Sequence, residues 1–222
     1  MRRAGAVLST RVGTPVPIHF GSAAAELAVC VRAVGLVDRS ELSALALEAP
    51  PAQLSALMTR LVGATVAPGG LISAPNAWWC GETPERVIVV CEPRMASRLI
   101  DSLRGVAARH VAVHDLSAQL TAIGLLGRGT SRVLSALGAY GRSGDPRHAA
   151  PFGRGSVDEI PVAWVLESDH RALALVPSAA AGEAWLAIER AGRPFGISCV
   201  GHEAACRYAL MERLRPAIPA CV

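Results

Sequence analysis

The sequence of 222 residues contains no lysine, because all 22 of its basic residues are arginine. This absence excludes mechanisms that need an amine side chain, such as Schiff-base catalysis and phosphate binding by the lysine of a P-loop. Aromatic residues are also scarce, at 4% of the chain. We therefore expect no surface on which nucleic acid bases stack between basic side chains, and the net charge of +4 does not indicate a nucleic acid partner.

Charged residues are few as well, at 18%, whereas hydrophobic residues make up 51% of the sequence. This composition predicts a folded chain with a large core. No apolar stretch approaches the roughly 20 residues of a membrane-spanning helix, and Arg11 interrupts the apolar N-terminal run before it reaches the length of a signal peptide. We expect a cytoplasmic protein with no membrane partner, in which the six cysteines are reduced thiols.

Helical and extended patterns alternate along the chain. Ser22 is a suitable N-cap for an Ala-rich helix that we expect to end at Gly35, and Pro50 and Pro51 begin a second helix that ends before Gly63. Further helices are predicted from Pro93 and over residues 129–138, 179–191 and 203–214. Extended runs lie between them, at residues 36–47, 78–91, 110–116, 120–126 and 160–176.

The connections between the extended runs indicate the class of fold. The turn at residues 82–85 and the spacing of residues 116–120 are too short for the crossover that joins parallel strands. We therefore predict a mixed α/β (α+β) fold with mixed or antiparallel sheets and packed helices, and not a doubly wound parallel sheet. No linker divides the chain, so residues 1–222 are expected to form one domain, with a loop at residues 139–156. Similar helix-strand-helix units at residues 22–63 and 93–138 also suggest an internal duplication.

Several short motifs, in matching order and spacing, resemble one known family. They are VPIHFG at residues 16–21 with Glu26, VGLVDRS at 34–40, APPA at 49–52, VHDLS at 113–117 and LTAIGLLG at 120–127. Over residues 16–214 the sequence resembles the folate-binding domain of the glycine-cleavage T-protein (aminomethyltransferase) family. The segment AWWCGE at residues 77–82 is similar to the gamma subunit of heterotetrameric sarcosine oxidase, a short relative with the same fold.

The resemblance implies the fold of this family, tetrahydrofolate as cofactor and one-carbon transfer from an amine. It also implies that the C-terminal barrel domain of the family is absent from this chain. The family has a carboxylate after a Gly-Gly turn, whereas residues 71–76, after Gly69 and Gly70, contain no acid. The glutamates of two later family segments are missing as well, near Arg207 and at residues 170–173. The resemblance therefore assigns Asp38, Asp115 and Arg207 to the cofactor-binding shell and identifies no catalytic residue.

Trp78 and Trp79 are adjacent on a predicted strand, so their rings face opposite sides of the sheet. Either one ring fills the core while the other faces the cleft and contacts a pterin or another flat molecule, or both rings are buried. In the long loop, Arg142, Arg147, His148 and Arg154 are either a solvated surface or a site for the anionic tail of a folate.

Two groups of residues have spacings that are superficially typical of metal sites. His202 lies between Cys199 and Cys206, and His110 and His114 lie on one predicted strand. Both groups lack a ligand that such sites require, so we predict no metal centre.

Two functions remain open on this sequence. The first is a folate-binding protein of one-carbon metabolism whose transfer activity is altered or lost. The second is a non-catalytic subunit, similar to the sarcosine oxidase gamma chain, that packs on a flavin-containing partner. A cleft reused for an unrelated small molecule is a third alternative.

Overall fold

The computed structural model describes residues 5–11, 13–74, 77–106, 110–141 and 149–214, without the side chains of residues 104–106. Six α-helices lie in these ranges: α1 (Ala23–Arg32), α2 (Pro51–Val62), α3 (Pro93–Val106), α4 (Thr130–Ala136), α5 (Ala181–Gly192) and α6 (His202–Leu214). The same ranges contain thirteen strands: β1 (Val7–Arg11), β2 (Thr14–His19), β3 (Val34–Asp38), β4 (Ser43–Glu48), β5 (Leu71–Ala74), β6 (Ala77–Thr83), β7 (Arg86–Cys91), β8 (Ala112–Asp115), β9 (Leu120–Leu126), β10 (Phe152–Val157), β11 (Ile160–Ser168), β12 (Arg171–Pro177) and β13 (Ile197–Cys199).

The strands form one hairpin and two larger sheets. Strands β1 and β2 pair only with each other, the five-stranded sheet has the order β5-β6-β7-β4-β8, and the six-stranded sheet has the order β10-β11-β12-β9-β3-β13. All pairs are antiparallel except β13 with β3. The predicted mixed α+β class with mixed or antiparallel sheets is confirmed.

The two large sheets pack face to face, and helices cover their outer faces. Trp78 and Ile88 of one sheet meet Phe152 and Leu173 of the other in the cluster between the sheets. The outer face of the five-stranded sheet packs against α2 and α3, and that of the six-stranded sheet packs against α4 and α5. Helices α1 and α6 pack on each other and on the inner side of the six-stranded sheet. The result is a four-layer sandwich with a helical pair at one end.

The two sheets are built from the same succession of elements. Residues 43–115 follow the order β4-α2-β5-β6-β7-α3-β8, and residues 120–199 follow the order β9-α4-β10-β11-β12-α5-β13. The sheet orders also correspond, except that β3 is inserted between β9 and β13. The chain thus contains an internal structural repeat, but its units are residues 43–115 and 120–199 and not the expected 22–63 and 93–138.

Three local predictions need correction. Helix α1 ends at Arg32, and Gly35 lies inside β3, where an added Cβ would be 2.7 Å from the Cys30 sulfur. Close packing, and not a helix cap, therefore requires this glycine. The extended run at residues 36–47 is two strands in different sheets, β3 and β4. Part of the expected loop at residues 139–156 is strand β10, which pairs with β11.

Other local predictions agree with the structure. Helix α2 begins with Pro51 and ends at Gly63, which has a left-handed conformation (φ 76°). Strands β6 and β7 form the expected hairpin. Among the helices of the described ranges, none combines the length and apolar character needed to cross a membrane.

Candidate functional site

Two cavities adjoin where the end of β1, the β3–β4 connection, the start of α3 and α6 come together. The first, about 380 Å³, is called the Glu41 cavity and is lined by Thr10, Arg11, Arg39, Glu41, Glu92, Pro93, Arg94 and His202. The second, about 250 Å³, is called the Trp78 cavity; its lining includes Trp78, Glu167, Arg171, Ser73 and Ala74. The cavities are contiguous, because Arg11, Arg39, Glu92 and His202 line both.

Glu41 is the central buried charge of the Glu41 cavity, with 7% of its surface exposed. Its Oε1 accepts a hydrogen bond from Arg39 Nε at 2.7 Å and lies 3.7 Å from His202 Nδ1. Its Oε2 is buried and has no hydrogen-bond partner in the part of the chain that the structure describes. A buried carboxylate oxygen without a donor is costly, so this atom marks a place where a donor group would be stabilising.

His202, the first residue of α6, is 8% exposed and lies between two groups. Its Nε2 accepts a hydrogen bond from the Arg11 guanidinium and is 3.0 Å from Cys206 Sγ. Burial, reinforced by the charge of Arg11, lowers the pKa of His202 to about 4, although Glu41 acts in the opposite direction. The imidazole is therefore neutral near pH 7, with Nε2 as the acceptor and the proton on Nδ1 towards Glu41.

The thiol of Cys206 is not an activated nucleophile. Cys206 is exposed as a residue, but partial burial of its thiol raises the pKa of Cys206, although the charges of Arg39 and Arg11 partly oppose this effect. Because the neighbouring imidazole is neutral and the thiol stays protonated, the pair has no thiolate-imidazolium character.

Glu26 fixes the position of His202 from the other side of the fold. Its Oε1 accepts a hydrogen bond from Phe20 N, and its Oε2 accepts one from Gly201 N, both at 2.6 Å. Gly201 must be glycine, because an added Cβ would lie 2.1 Å from the Ile18 carbonyl oxygen. The residue before α6 is thus held to the β2–α1 connection, and the His202 side chain is held at the cavity.

Trp78 and Trp79 face opposite sides of β6, and both are buried. Trp79 is 1% exposed and packs with α2 and α3, whereas Trp78 is 7% exposed and packs between the sheets. Of the two, Trp78 lines the cavity, and its indole Nε1 has no hydrogen-bond partner among the described residues. Glu167 of β11 and Arg171 of β12 also line this cavity and pair at 3.0 Å, and Arg171 Nε has no partner within the described ranges.

The other residues assigned by the resemblance lie away from these cavities. Asp38 Oδ1 accepts a hydrogen bond from Ser40 N at 2.9 Å in the turn between β3 and β4. Asp115, at the end of β8, makes the corresponding 2.9 Å bond with Ser117 N. Arg207 is exposed and pairs with Glu203 at 2.5 Å on α6. Of the five predicted residues, the structure places only Trp78 at the cavity wall.

The sequence analysis did not identify eight charged residues that line the cavities: Arg11, Arg39, Glu41, Glu92, Arg94, Glu167, Arg171 and Arg213. The available signal was weak, since Glu41 and Glu167 are single acids next to apolar runs. Of the loop residues for which a solvated surface and an anion site were both left open, Arg142, Arg147 and His148 lie outside the described residues. Arg154 lies on β10, where it donates to Glu82. Within the described ranges, no three His, Cys, Asp or Glu side chains are arranged to hold a metal ion.

No family model and no curated protein matches this sequence. Solved structures match its fold. Glycine cleavage system aminomethyltransferase T from Bartonella henselae superposes with a TM-score of 0.72 at 16% identity, over 96% of this chain and 60% of that chain. The present chain therefore spans about 60% of the length of that relative.

A second solved structure is similar over most of its own length. A chain of heterotetrameric sarcosine oxidase from Corynebacterium sp. U-96, in complex with pyrrole 2-carboxylate, superposes with a TM-score of 0.63 at 22% identity. The match covers 79% of the present chain and 93% of that chain. The protein thus has the fold of aminomethyltransferase T, and the resemblance stated from the sequence is confirmed at the level of the fold.

Proposed function

We propose that this protein binds a flat heterocycle of the reduced-folate class in the Trp78 cavity and does not transfer a one-carbon unit by itself. The observation that carries the proposal is the set of buried polar atoms around this cavity. Trp78 Nε1 and Arg171 Nε are donors without partners, and the Glu167 carboxylate is an acceptor beside them. The polar edge of a pterin carries both donors and acceptors, so these residues fit such a ring.

The size of the cavity determines which part of a folate it accommodates. Its volume of about 250 Å³ lies below the range of about 300–1,000 Å³ that is typical of pockets for drug-sized ligands. It therefore admits a ring system, while the rest of the ligand extends outwards. Because Trp78 is only 7% exposed, it forms a wall of the cavity and is not an open stacking platform.

The segment that replaces the family's carboxylate argues against transfer chemistry. Ser73 and Ala74 line the Trp78 cavity and come from the segment in which the family has its carboxylate. Neither side chain is a general acid or base. Such assistance typically contributes a factor of about 10² to 10⁴ in rate. Aminomethyl transfer to tetrahydrofolate by the purified protein is therefore expected to be hard to detect.

Calorimetry and tryptophan fluorescence test folate binding. Tetrahydrofolate is titrated into the wild type, Trp78→Phe and Trp79→Phe. We expect heat and quenching with the wild type, loss of most quenching in Trp78→Phe, and no change in Trp79→Phe, the matched control on the opposite face of β6. Trp164 and Trp185 add a constant background, because they pack in the separate cluster on the outer face of the six-stranded sheet. The absence of both heat and quenching in the wild type would refute the proposal.

A second candidate function is that of an accessory subunit on a flavin-containing partner. It is favoured by the match to 93% of a chain from a heterotetrameric oxidase and by an apolar surface near the cavities. On α6, Leu210, Met211 and Leu214 are 57%, 47% and 72% exposed, and Leu210 also lines the Trp78 cavity.

Co-expression with a flavoprotein amine oxidase subunit tests this alternative. The expected product is a complex that elutes as one species, absorbs as a flavin and oxidises an amine. Leu210→Glu should disrupt the complex, whereas Leu186→Glu, at a 54% exposed position of α5, should not. Complex formation that is unaffected by Leu210→Glu would argue against this surface.

A further inference from the structure

The Glu41 cavity contains an acceptor that no group of the described protein satisfies. One oxygen of the Glu41 carboxylate is bound by Arg39, and the other is buried and unpartnered. The neighbouring imidazole of His202 is neutral for the reasons given above, so it does not supply a compensating charge. An ammonium group of a ligand would both neutralise this carboxylate and donate the missing hydrogen bond.

Arginine side chains also line the same cavity, as does the carboxylate of Glu92. Arg11 and Arg94 line it, together with Pro93 in the first turn of α3. Among the described residues Arg94 has no ion-pair partner, and the N-terminal end of a helix of this length carries a partial positive charge. These groups suit a carboxylate. The cavity thus presents a negative and a positive recognition element to one small molecule.

We propose that the Glu41 cavity is a binding site for a free α-amino acid, with the ammonium group on Glu41 and the carboxylate on Arg11 and Arg94. Its volume of about 380 Å³ lies within the range of small-molecule pockets. The assignment does not require a folate in the adjoining Trp78 cavity. It concerns residues that neither the motifs nor the fold comparison assigned.

Calorimetry with L-alanine and two fragments of it tests the proposal. L-alanine carries both groups, propionate lacks the ammonium group, and ethylamine lacks the carboxylate. We expect L-alanine to bind and each of the other probes to bind at least tenfold more weakly. Propionate or ethylamine binding as tightly as L-alanine would overturn the proposal, because the site would then recognise only one of the two charged groups of the amino acid. The absence of L-alanine binding would overturn it as well.

Variants locate the bound probe. Glu41→Gln and Arg94→Ala should each weaken L-alanine binding at least tenfold. Arg98→Ala is the matched control, since it removes an exposed arginine from the same helix without altering the cavity lining. If Glu41→Gln fails to fold, the exposed Arg94→Ala still decides the question. Unchanged affinity in Arg94→Ala would contradict the assigned carboxylate position.

One further comparison distinguishes binding in the Glu41 cavity from binding in the Trp78 cavity. Trp78→Phe should leave the affinity for L-alanine unchanged, and Arg94→Ala should leave folate quenching unchanged. L-alanine binding without any folate response would refute the proposed folate function and support the amino acid site. Folate binding without an L-alanine response would do the reverse.

Discussion

Replacement of Glu26 by alanine should destabilise the protein far more than replacement of an exposed glutamate. Glu26 is 7% exposed and bridges two backbone N–H groups that lie 181 positions apart, Phe20 N and Gly201 N. Alanine removes both acceptors, and the Gly201 N–H is buried, so it gains no water in exchange.

The magnitude follows from these two hydrogen bonds. A hydrogen bond to a charged group contributes about 1.5–3 kcal/mol, with the lower end appropriate to the part-buried Phe20 N–H and the upper end to the buried Gly201 N–H. The expected cost of Glu26→Ala is therefore about 3–5 kcal/mol. For a domain of this size, each kcal/mol corresponds to about 2–4 °C in Tm, so the shift is on the order of 10 °C.

Urea denaturation and thermal melts of Glu26→Ala, Glu26→Gln and Glu203→Ala provide the test. Gln retains one acceptor, so Glu26→Gln should lie between the other two. Glu203 forms an exposed ion pair with Arg207 within α6, and such pairs contribute about 0.3–0.5 kcal/mol. If Glu26→Ala costs no more than Glu203→Ala, the two hydrogen bonds do not hold α6 to the β2–α1 connection, and the account of how His202 is positioned is wrong.

Two further predictions concern groups with altered pKa values. Because His202 has its pKa lowered to about 4, the unfolded chain binds a proton on this residue between about pH 6.5 and 4 that the folded chain does not. Stability is therefore lost as the pH falls through this window. The urea midpoint should fall less steeply with decreasing pH in His202→Gln than in the wild type. The same pH dependence in both proteins would contradict the buried neutral imidazole. Burial raises the pKa of Cys30 and of Cys91 to about 12. Iodoacetamide at pH 8 should therefore modify the exposed Cys206 well before either of them, as measured by peptide mass spectrometry. Equal labelling rates at the three cysteines would contradict the burial of Cys30 and Cys91.

Much of the local structure follows from sequence signals that act within one element. The start of α2 at Pro51, its stripe of Leu54 and Met58, and its end at Gly63 are all local features. The β6–β7 hairpin is also encoded locally, by its short turn and the apolar residues on either side. Such elements could be predicted because their determinants lie close together in the chain.

Strands that depend on distant partners could not be predicted in the same way. β10 has the sequence FGRGSV, which lacks apolar alternation, and it is a strand because it pairs with β11. β13 has three residues and exists through its pairing with β3, more than 150 positions earlier. In both cases the tertiary neighbour, and not local propensity, decides the structure.

The candidate site could not be predicted from the sequence, for the same reason. Glu41, Glu92 and His202 come from three distant parts of the chain, and only packing of the helices and sheets brings them to one cavity. The residues transferred by resemblance were identified by position in a motif, which gives no information on burial. Trp78 could be predicted as a cavity residue because side chains alternate between the two faces of a strand, and this constraint is visible in the sequence.

The inserted strand β3 has a consequence for the order in which the protein assembles. Residues 43–115 contain every strand of the five-stranded sheet, so this half can complete its pairing as soon as it has been synthesised. The other half cannot, because its last strand, β13, pairs with β3 and not with β9. Closing that long loop is entropically unfavourable until most of the second sheet is in place. Helix α6 follows β13 directly, so His202 reaches the cavities only in this final docking step. A chain stalled before it would have the five-stranded sheet and most of the six-stranded sheet, but the α6 wall of the candidate site would be missing.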